Sequence, residues 1–164
     1  MRVYPKMYLK KVQEITYEML QENNISGMIL DVDNTLIDYD RNMPEGVDNW
    51  CKSLKQKGIQ FCIASNSNQK QKVEMVAKRL EIPYIYFAKK PLKSGLKRAA
   101  KVMELKPTQI ALVGDQIFTD VLGANRMGMF SILVDPIEEK DIWMTRVKRP
   151  IEEYLKKKYQ KRNM

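Results

Sequence analysis

The sequence predicts an α/β fold, a Rossmann-like three-layer sandwich in which a mainly parallel sheet is covered by helices on both faces. Two observations carry this. Short apolar runs of strand type alternate with amphipathic helical patterns from about residue 26 to residue 134, a rhythm that argues for βαβ units. Four of these runs also stop at acids, a hydroxyl or an ammonium: Asp31 and Asp33, Ser65, Lys90, and Asp115 with Asp120. In an open parallel sheet such stops share the carboxyl edge, where these folds place their ligand crevice.

Residues 6–22 place Leu9, Val12, Ile15, Met19 and Leu20 at helical spacing among Lys6, Lys10, Lys11, Glu14 and Glu18, which predicts an N-terminal amphipathic helix. Its basic first turn opposes the helix dipole, so either an external anion balances it or the lysines simply face solvent. Ser26 to Leu30 is the first predicted strand. Pro44-Glu45 opens a helix carrying Val47, Trp50, Cys51 and Leu54 that closes at Gly58. Ile59 to Ala64 is the next strand. Ser65-Asn66-Ser67-Asn68 is a loop able to cap a helix over about residues 69–80, with Val73, Val76, Ala77 and Leu80 on its apolar face.

A strand at 84–87 follows Pro83, and after Lys89-Lys90-Pro91 comes a helix with Leu92, Leu96, Ala99, Ala100 and Met103. Pro107 ends that segment. Ile110 to Val113 is a strand, Gly114-Asp115 a second acidic loop, and Val121, Leu122, Ala124 and Met127 mark another helix before a last strand, Phe130 to Val134. Beyond Pro136 the pattern becomes a charged tail, expected to be helical after Pro150. From Arg146 to Met164 it holds eight Lys or Arg against two Glu.

The 164 residues suit one domain over 1–164, with a core at about 25–135, the helix 6–22 before it and the basic tail 136–164 after it. The net charge of +9 favours anionic partners, whether phosphates, nucleic acid or acidic lipid headgroups. There is no His, and Cys51 and Cys62 stand apart, so neither a zinc site nor a disulfide framework is indicated. Both cysteines read as small buried residues of a reducing cytosol. No stretch approaches the ~20 apolar residues of a membrane span, and the N-terminus lacks the ~7–15-residue apolar core of a signal peptide. The expected location is cytoplasmic, with peripheral contact to a membrane as an extension of that reading.

Asp31 and Asp33 define the chemistry. Two acids crowded at a strand end repel each other, and a magnesium ion suits hard oxygen ligands beside a phosphate. One carboxylate can then attack phosphorus while the other moves the proton. A turn with two solvated acids is the bland alternative, and strand-end acidic pairs also mark receiver domains and calcium loops. The remaining strand ends favour the phosphate reading, because an ammonium, a hydroxyl and two further acids converge on the same edge.

In order, these motifs resemble the haloacid dehalogenase (HAD) superfamily of phosphohydrolases: Asp-Val-Asp-Asn-Thr at 31–35, a strand-end serine at 65, a lysine before a helix at 90, and Gly-Asp-x-x-x-x-Asp at 114–120. The resemblance covers roughly residues 25–135. It implies that Asp31 is the nucleophile and Asp33 the general acid and base. It also implies that Ser65, the Asn66 amide and Thr35 bind the phosphate, and that Asp31, Asp33 and Asp115 hold Mg²⁺. Lys90 would neutralise the developing charge, with Lys89 its rival, and Asp120 would orient metal-bound water or Lys90.

Neither interval between the first three motifs can hold the cap domain many members carry, so the site is expected to be open, covered either by a large or membrane-bound substrate or by a neighbouring subunit. Within the superfamily the motifs resemble most the IIIA-type bacterial phosphatases named after YqeG, which are similar to a mitochondrial phosphatase acting on phosphatidylglycerophosphate. That implies a lipid phosphate as substrate and an anionic membrane as partner. A phosphatase of nucleic-acid ends or phosphoproteins is the alternative within enzymes. A basic nucleic-acid-binding protein with a vestigial site is the alternative from another class. The oligomeric state is left open.

Overall fold

The computed structural model describes residues 3–138 together with Pro150, Glu153, Tyr154, Lys157 and Lys158. In chain order it contains β1 (Met7–Leu9), α1 (Tyr17–Glu22), β2 (Gly27–Leu30), α2 (Val47–Gln56), β3 (Gln60–Ala64), α3 (Lys70–Leu80), β4 (Tyr84–Ile85), α4 (Lys93–Met103), β5 (Ile110–Gly114), α5 (Leu122–Met127) and β6 (Phe130–Val134). The strands form one six-stranded sheet in the order β1-β6-β5-β2-β3-β4, every neighbour parallel. From β2 the chain winds one way to β3 and β4, then crosses back to β5 and β6 on the other side. The reversal point is therefore the seam between β2 and β5, where open sheets place their crevice.

The central strands are buried on both faces, which explains their unbroken apolar runs. Successive side chains alternate between two cores. Met28, Leu30, Phe61, Ile63, Ala111 and Val113 pack with the N-terminal segment, α2 and α3. Ile29, Cys62, Ala64, Ile110 and Leu112 pack with α4 and α5. Burial pushes the Cys51 thiol up to about 11 and the Cys62 thiol up to about 12, as befits small apolar fillers.

The single N-terminal helix expected over 6–22 is replaced by three pieces. Met7–Leu9 adds the strand β1 to β6, with Met7 opposite Ile132 and Leu9 opposite Val134. A 3₁₀ turn over Val12–Glu14 follows, and only Tyr17–Glu22 is α-helical. The apolar positions are those the sequence marks, since Val12, Ile15 and Leu20 are all buried. Local spacing did not contain the open edge of β6, which supplies ladder hydrogen bonds that a helix here would forgo. Thr16 then starts α1 by accepting from the Met19 amide at 3.2 Å. The dipole conflict read from the lysines therefore disappears.

Two smaller corrections concern the carboxyl edge. The strand expected at 84–87 stops at Ile85, and Phe87 turns into a left-handed backbone with its amide on the Ser67 carbonyl. The helix expected around 121–127 is preceded by a wider turn of π type over Ile117–Val121. The tail expectation falls largely outside the described residues. Pro150, Glu153, Tyr154, Lys157 and Lys158 are helical, and the Tyr154 ring lies 4.6 Å from that of Tyr4. Among the described residues no helix is long and apolar enough to cross a membrane.

Candidate active site

β2 delivers Asp31 to the carboxyl edge beside β5, with the Asp31 amide bonded to the Val113 carbonyl at 3.0 Å. The chain then turns sharply. The amides of Thr35, Leu36 and Ile37 all point to the Val32 carbonyl, and Asn34 takes a positive φ that an asparagine tolerates. This turn brings the Thr35 hydroxyl back to lie 3.1 Å from Asp115 Oδ1 and 3.4 Å from Asp31 Oδ2. One hydroxyl thus lies between two acids that are 84 positions apart in the chain.

Lys90 is buried between two carboxylates, its Nζ 3.0 Å from Asp31 Oδ1 and 2.6 Å from Asp120 Oδ1. Burial alone would strip its proton, but the fields of Asp120 and Asp31 outweigh that cost and hold its pKa above the ordinary lysine range. Burial and the Asp31 charge push the Asp120 carboxyl up, while Lys90 and the Gln116 amide pull it down. The state that satisfies these contacts is an ammonium shared by two carboxylates. Of the two adjacent lysines, Lys90 is the one that enters the site; Lys89 is exposed, its Nζ 4.8 Å from the centre of the Phe87 ring.

The Asn66 side chain fixes the backbone of Lys90 from both sides, donating to its carbonyl at 2.9 Å and accepting from its amide at 2.7 Å. Ser65 is fully buried and its Oγ accepts from the Ser67 amide at 3.1 Å, so its own proton is still available to donate. Gly114 has a plain steric reason to be glycine, because a Cβ there would collide with the Asp120 carboxylate. Asp33, half-exposed, is paired with Lys72 of α3 at 2.7 Å.

A recess of about 90 Å³ opens at this point, lined by Asp31, Asp33, Asn66, Ser67, Lys90, Gln116 and Thr119. Asp31, Asp115 and Asp120 each offer a carboxylate oxygen within 4.8 Å of the others; with Asp120 engaged by Lys90, Asp31 and Asp115 are the hard oxygen ligands that fit a divalent cation such as Mg²⁺. The expected residues thus arrive on one edge: Asp31, Asp33, Asn66 and Lys90 at the recess, Thr35 and Ser65 buried beside it, and Asp115 and Asp120 with Asp31 in the acidic group.

Sequence reasoning missed Lys72, whose only signal was its place in the first turn of the helix after the Ser65 loop. It also missed Asn34, which bonds the backbone of Glu138 in both directions, and Tyr39. Tyr39 is 52% exposed, and partial desolvation with the charges of Asp115, Glu138 and Asp33 raises its phenol above the usual pKa. Replacing Lys72 by Met should lower kcat by about two- to fivefold with little effect on thermal stability, since an ion pair whose acid is open to solvent contributes little energy and acts here by fixing the Asp33 rotamer. Steady-state kinetics alongside a melting curve check this.

The family model described as mitochondrial PGP phosphatase matches residues 1–138. The chain belongs to the mitochondrial PGP phosphatase family. A second member-like sequence, the probable phosphatase YqeG of Bacillus subtilis, is 41% identical over 149 residues, covering 90% of this chain and 86% of that protein. The phosphatidylglycerophosphate phosphatase 1 of Arabidopsis thaliana is 22% identical over 179 residues, covering 99% of this chain and 49% of that longer protein. A crystal structure of an HAD family hydrolase from Streptomyces avermitilis superposes with a TM-score of 0.51 at 19% identity, covering 69% of this chain and 83% of the other, and shows a shared fold. This PGP phosphatase family member is accordingly a phosphatase, a phosphoric monoester hydrolase, on a Rossmann-like α/β scaffold.

Proposed function

We propose that the protein is a Mg²⁺-dependent phosphomonoesterase that works through an aspartyl-phosphate on Asp31 and acts on a large or membrane-bound phosphate ester, with phosphatidylglycerophosphate the leading candidate. The observation that carries this is the buried arrangement of Asp31, Lys90, Asp120, Thr35 and Asp115 at the β2–β5 seam. Asp31 and Asp115, with the Asp33 carbonyl, would hold the metal. Bound there, it would screen the negative charge of the phosphate that a carboxylate must approach.

Asp31 is the acid fixed by Lys90 on one oxygen and close to Thr35 on the other, which orients it for attack. In the first step an Asp31 oxygen bonds to phosphorus and the ester P–O bond breaks, the departing alkoxide taking a proton from Asp33. In the second, Asp33 takes a proton from water as the water oxygen bonds to phosphorus. The bond to Asp31 breaks and inorganic phosphate leaves. Lys90 carries the charge that develops on the phosphoryl oxygens, and the Ser65 hydroxyl and Asn66 amide would hold the transferred group.

The recess is far smaller than the roughly 300–1,000 Å³ of clefts that engulf a small molecule. It takes a phosphoryl group and leaves the alcohol part of the ester outside. The interval from Asp33 to Ser65 is filled by a loop, α2 and β3, and that from Ser65 to Lys90 by α3 and β4, so neither interval holds a cap. Turnover of an aryl phosphate with Mg²⁺ should vanish on chelation by EDTA and return with added Mg²⁺. Phosphatidylglycerophosphate in vesicles should then be hydrolysed faster than phosphopeptides or end-phosphorylated oligonucleotides; equal rates on all three would remove the lipid assignment.

A further inference from the structure

Eight large apolar side chains stand exposed among the described residues, and four of them lie on the two segments that frame the recess. Tyr86, Phe87 and Leu92 belong to the loop between β4 and α4, which also carries Lys90. Phe118 lies between Gln116 and Thr119, both of which line the opening. Phe87 is tied to the recess directly, since its amide bonds to the carbonyl of the lining residue Ser67 at 2.8 Å. Phe118 and Leu92 are each more than half exposed, at 54% and 53%. Scattered single residues of this kind are ordinary on a soluble surface, but apolar residues gathered around a catalytic opening mark a contact.

The charges beside the three residues of the β4–α4 loop have one sign. Lys89 Nζ sits 4.8 Å from the centre of the Phe87 ring, Lys70 Nζ 6.0 Å from that of Tyr86, and Lys93 follows Leu92 and is exposed. Aromatic rings carrying ammonium groups, with aliphatic residues beyond them, form the pattern of an interfacial membrane anchor: the rings enter the headgroup boundary and the lysines meet anionic lipid. The acidic group Asp38, Asp40 and Glu138 on this edge lies on the loop after β2 and the segment after β6, outside the rim, and would be repelled by such a surface.

We infer that the β4–α4 loop and the turn carrying Phe118 form a docking rim for an anionic phospholipid bilayer, with the recess opening onto the headgroup layer. This rests on the reading of a large or membrane-bound ester, and it assigns the contact to the rim. With its recess too small for more than the phosphoryl group, the enzyme would meet the rest of such a substrate at these side chains.

The test is co-flotation of the full chain with vesicles of phosphatidylglycerol and phosphatidylcholine, compared with pure phosphatidylcholine. The wild-type protein should bind the anionic vesicles, and added salt should weaken the binding. The double variant Leu92→Ser with Phe118→Ser should bind at least about tenfold more weakly, since two half-exposed apolar side chains no longer enter the boundary. Lys89→Gln should cost about fivefold. Hydrolysis of a soluble aryl phosphate by the double variant should be unchanged. Absence of wild-type binding, or full binding by the double variant, would overturn the docking rim. The catalytically dead Asp31→Asn should bind vesicles like the wild type, so docking is read separately from the phosphatase chemistry.

Discussion

Replacing Asp31 by Asn should abolish turnover of every phosphate ester, with a fall in kcat of at least about 10⁴-fold, the scale seen when a covalent nucleophile is removed. The amide has the shape of the carboxylate and can still accept from Lys90 through its oxygen, so the fold should survive. It has neither the charge nor the nucleophilicity to bond phosphorus. Acid quench of the wild-type enzyme with a labelled substrate should trap phosphate on the protein, and the variant should trap none. Turnover by Asp31→Asn within tenfold of wild type, after exclusion of deamidation by mass spectrometry, would assign the nucleophile elsewhere.

Lys90→Met should damage both activity and stability. The methionine fills a similar volume, so the effect is electrostatic: Asp31 and Asp120 are left buried with no cation between them. Loss of one partner from a buried ion pair costs about 3–5 kcal/mol, and removal of a charge-stabilising group from a catalytic site about 10²–10³-fold in kcat. Denaturant unfolding without added metal reads the first, and aryl phosphate kinetics the second. Because the folded-state pKa of Lys90 is raised, its contribution is fully present below the unfolded-state value of about 10.4 and is lost only as pH rises beyond it through the folded one. The stability gap between wild type and variant should therefore not close between about pH 7 and 9, and it widens with pH where the variant's Asp120 carboxyl, released from the downward pull of Lys90, gives up its proton. A gap that closes within that range would show that Lys90 is not held as an ammonium.

The strand pattern was legible because the central strands are buried on both sides. Residues such as Met28, Ile29 and Leu30 must all be apolar, whichever core they enter. The acids were legible because carboxylates at the end of such a run have little other use. The N-terminal segment misled because Leu9, Val12, Ile15 and Leu20 are spaced alike for a helix or for a strand, turn and short helix against the same core. Lys72 was illegible for a similar reason, since a lysine on an exposed helix looks the same whether it meets solvent or Asp33.

By itself the sequence determined the parallel α/β scaffold, the edge on which chemistry gathers, and the types of group that gather there, because these follow from local periodicity and from the chain's stops. Only the tertiary structure decided that β1 closes one edge of the sheet, that Lys90 rather than Lys89 bridges Asp31 and Asp120, and that Thr35 lies between Asp31 and Asp115. Those outcomes depend on distances between residues far apart in the chain, set by how strands pair and cross, and no local spacing encodes them.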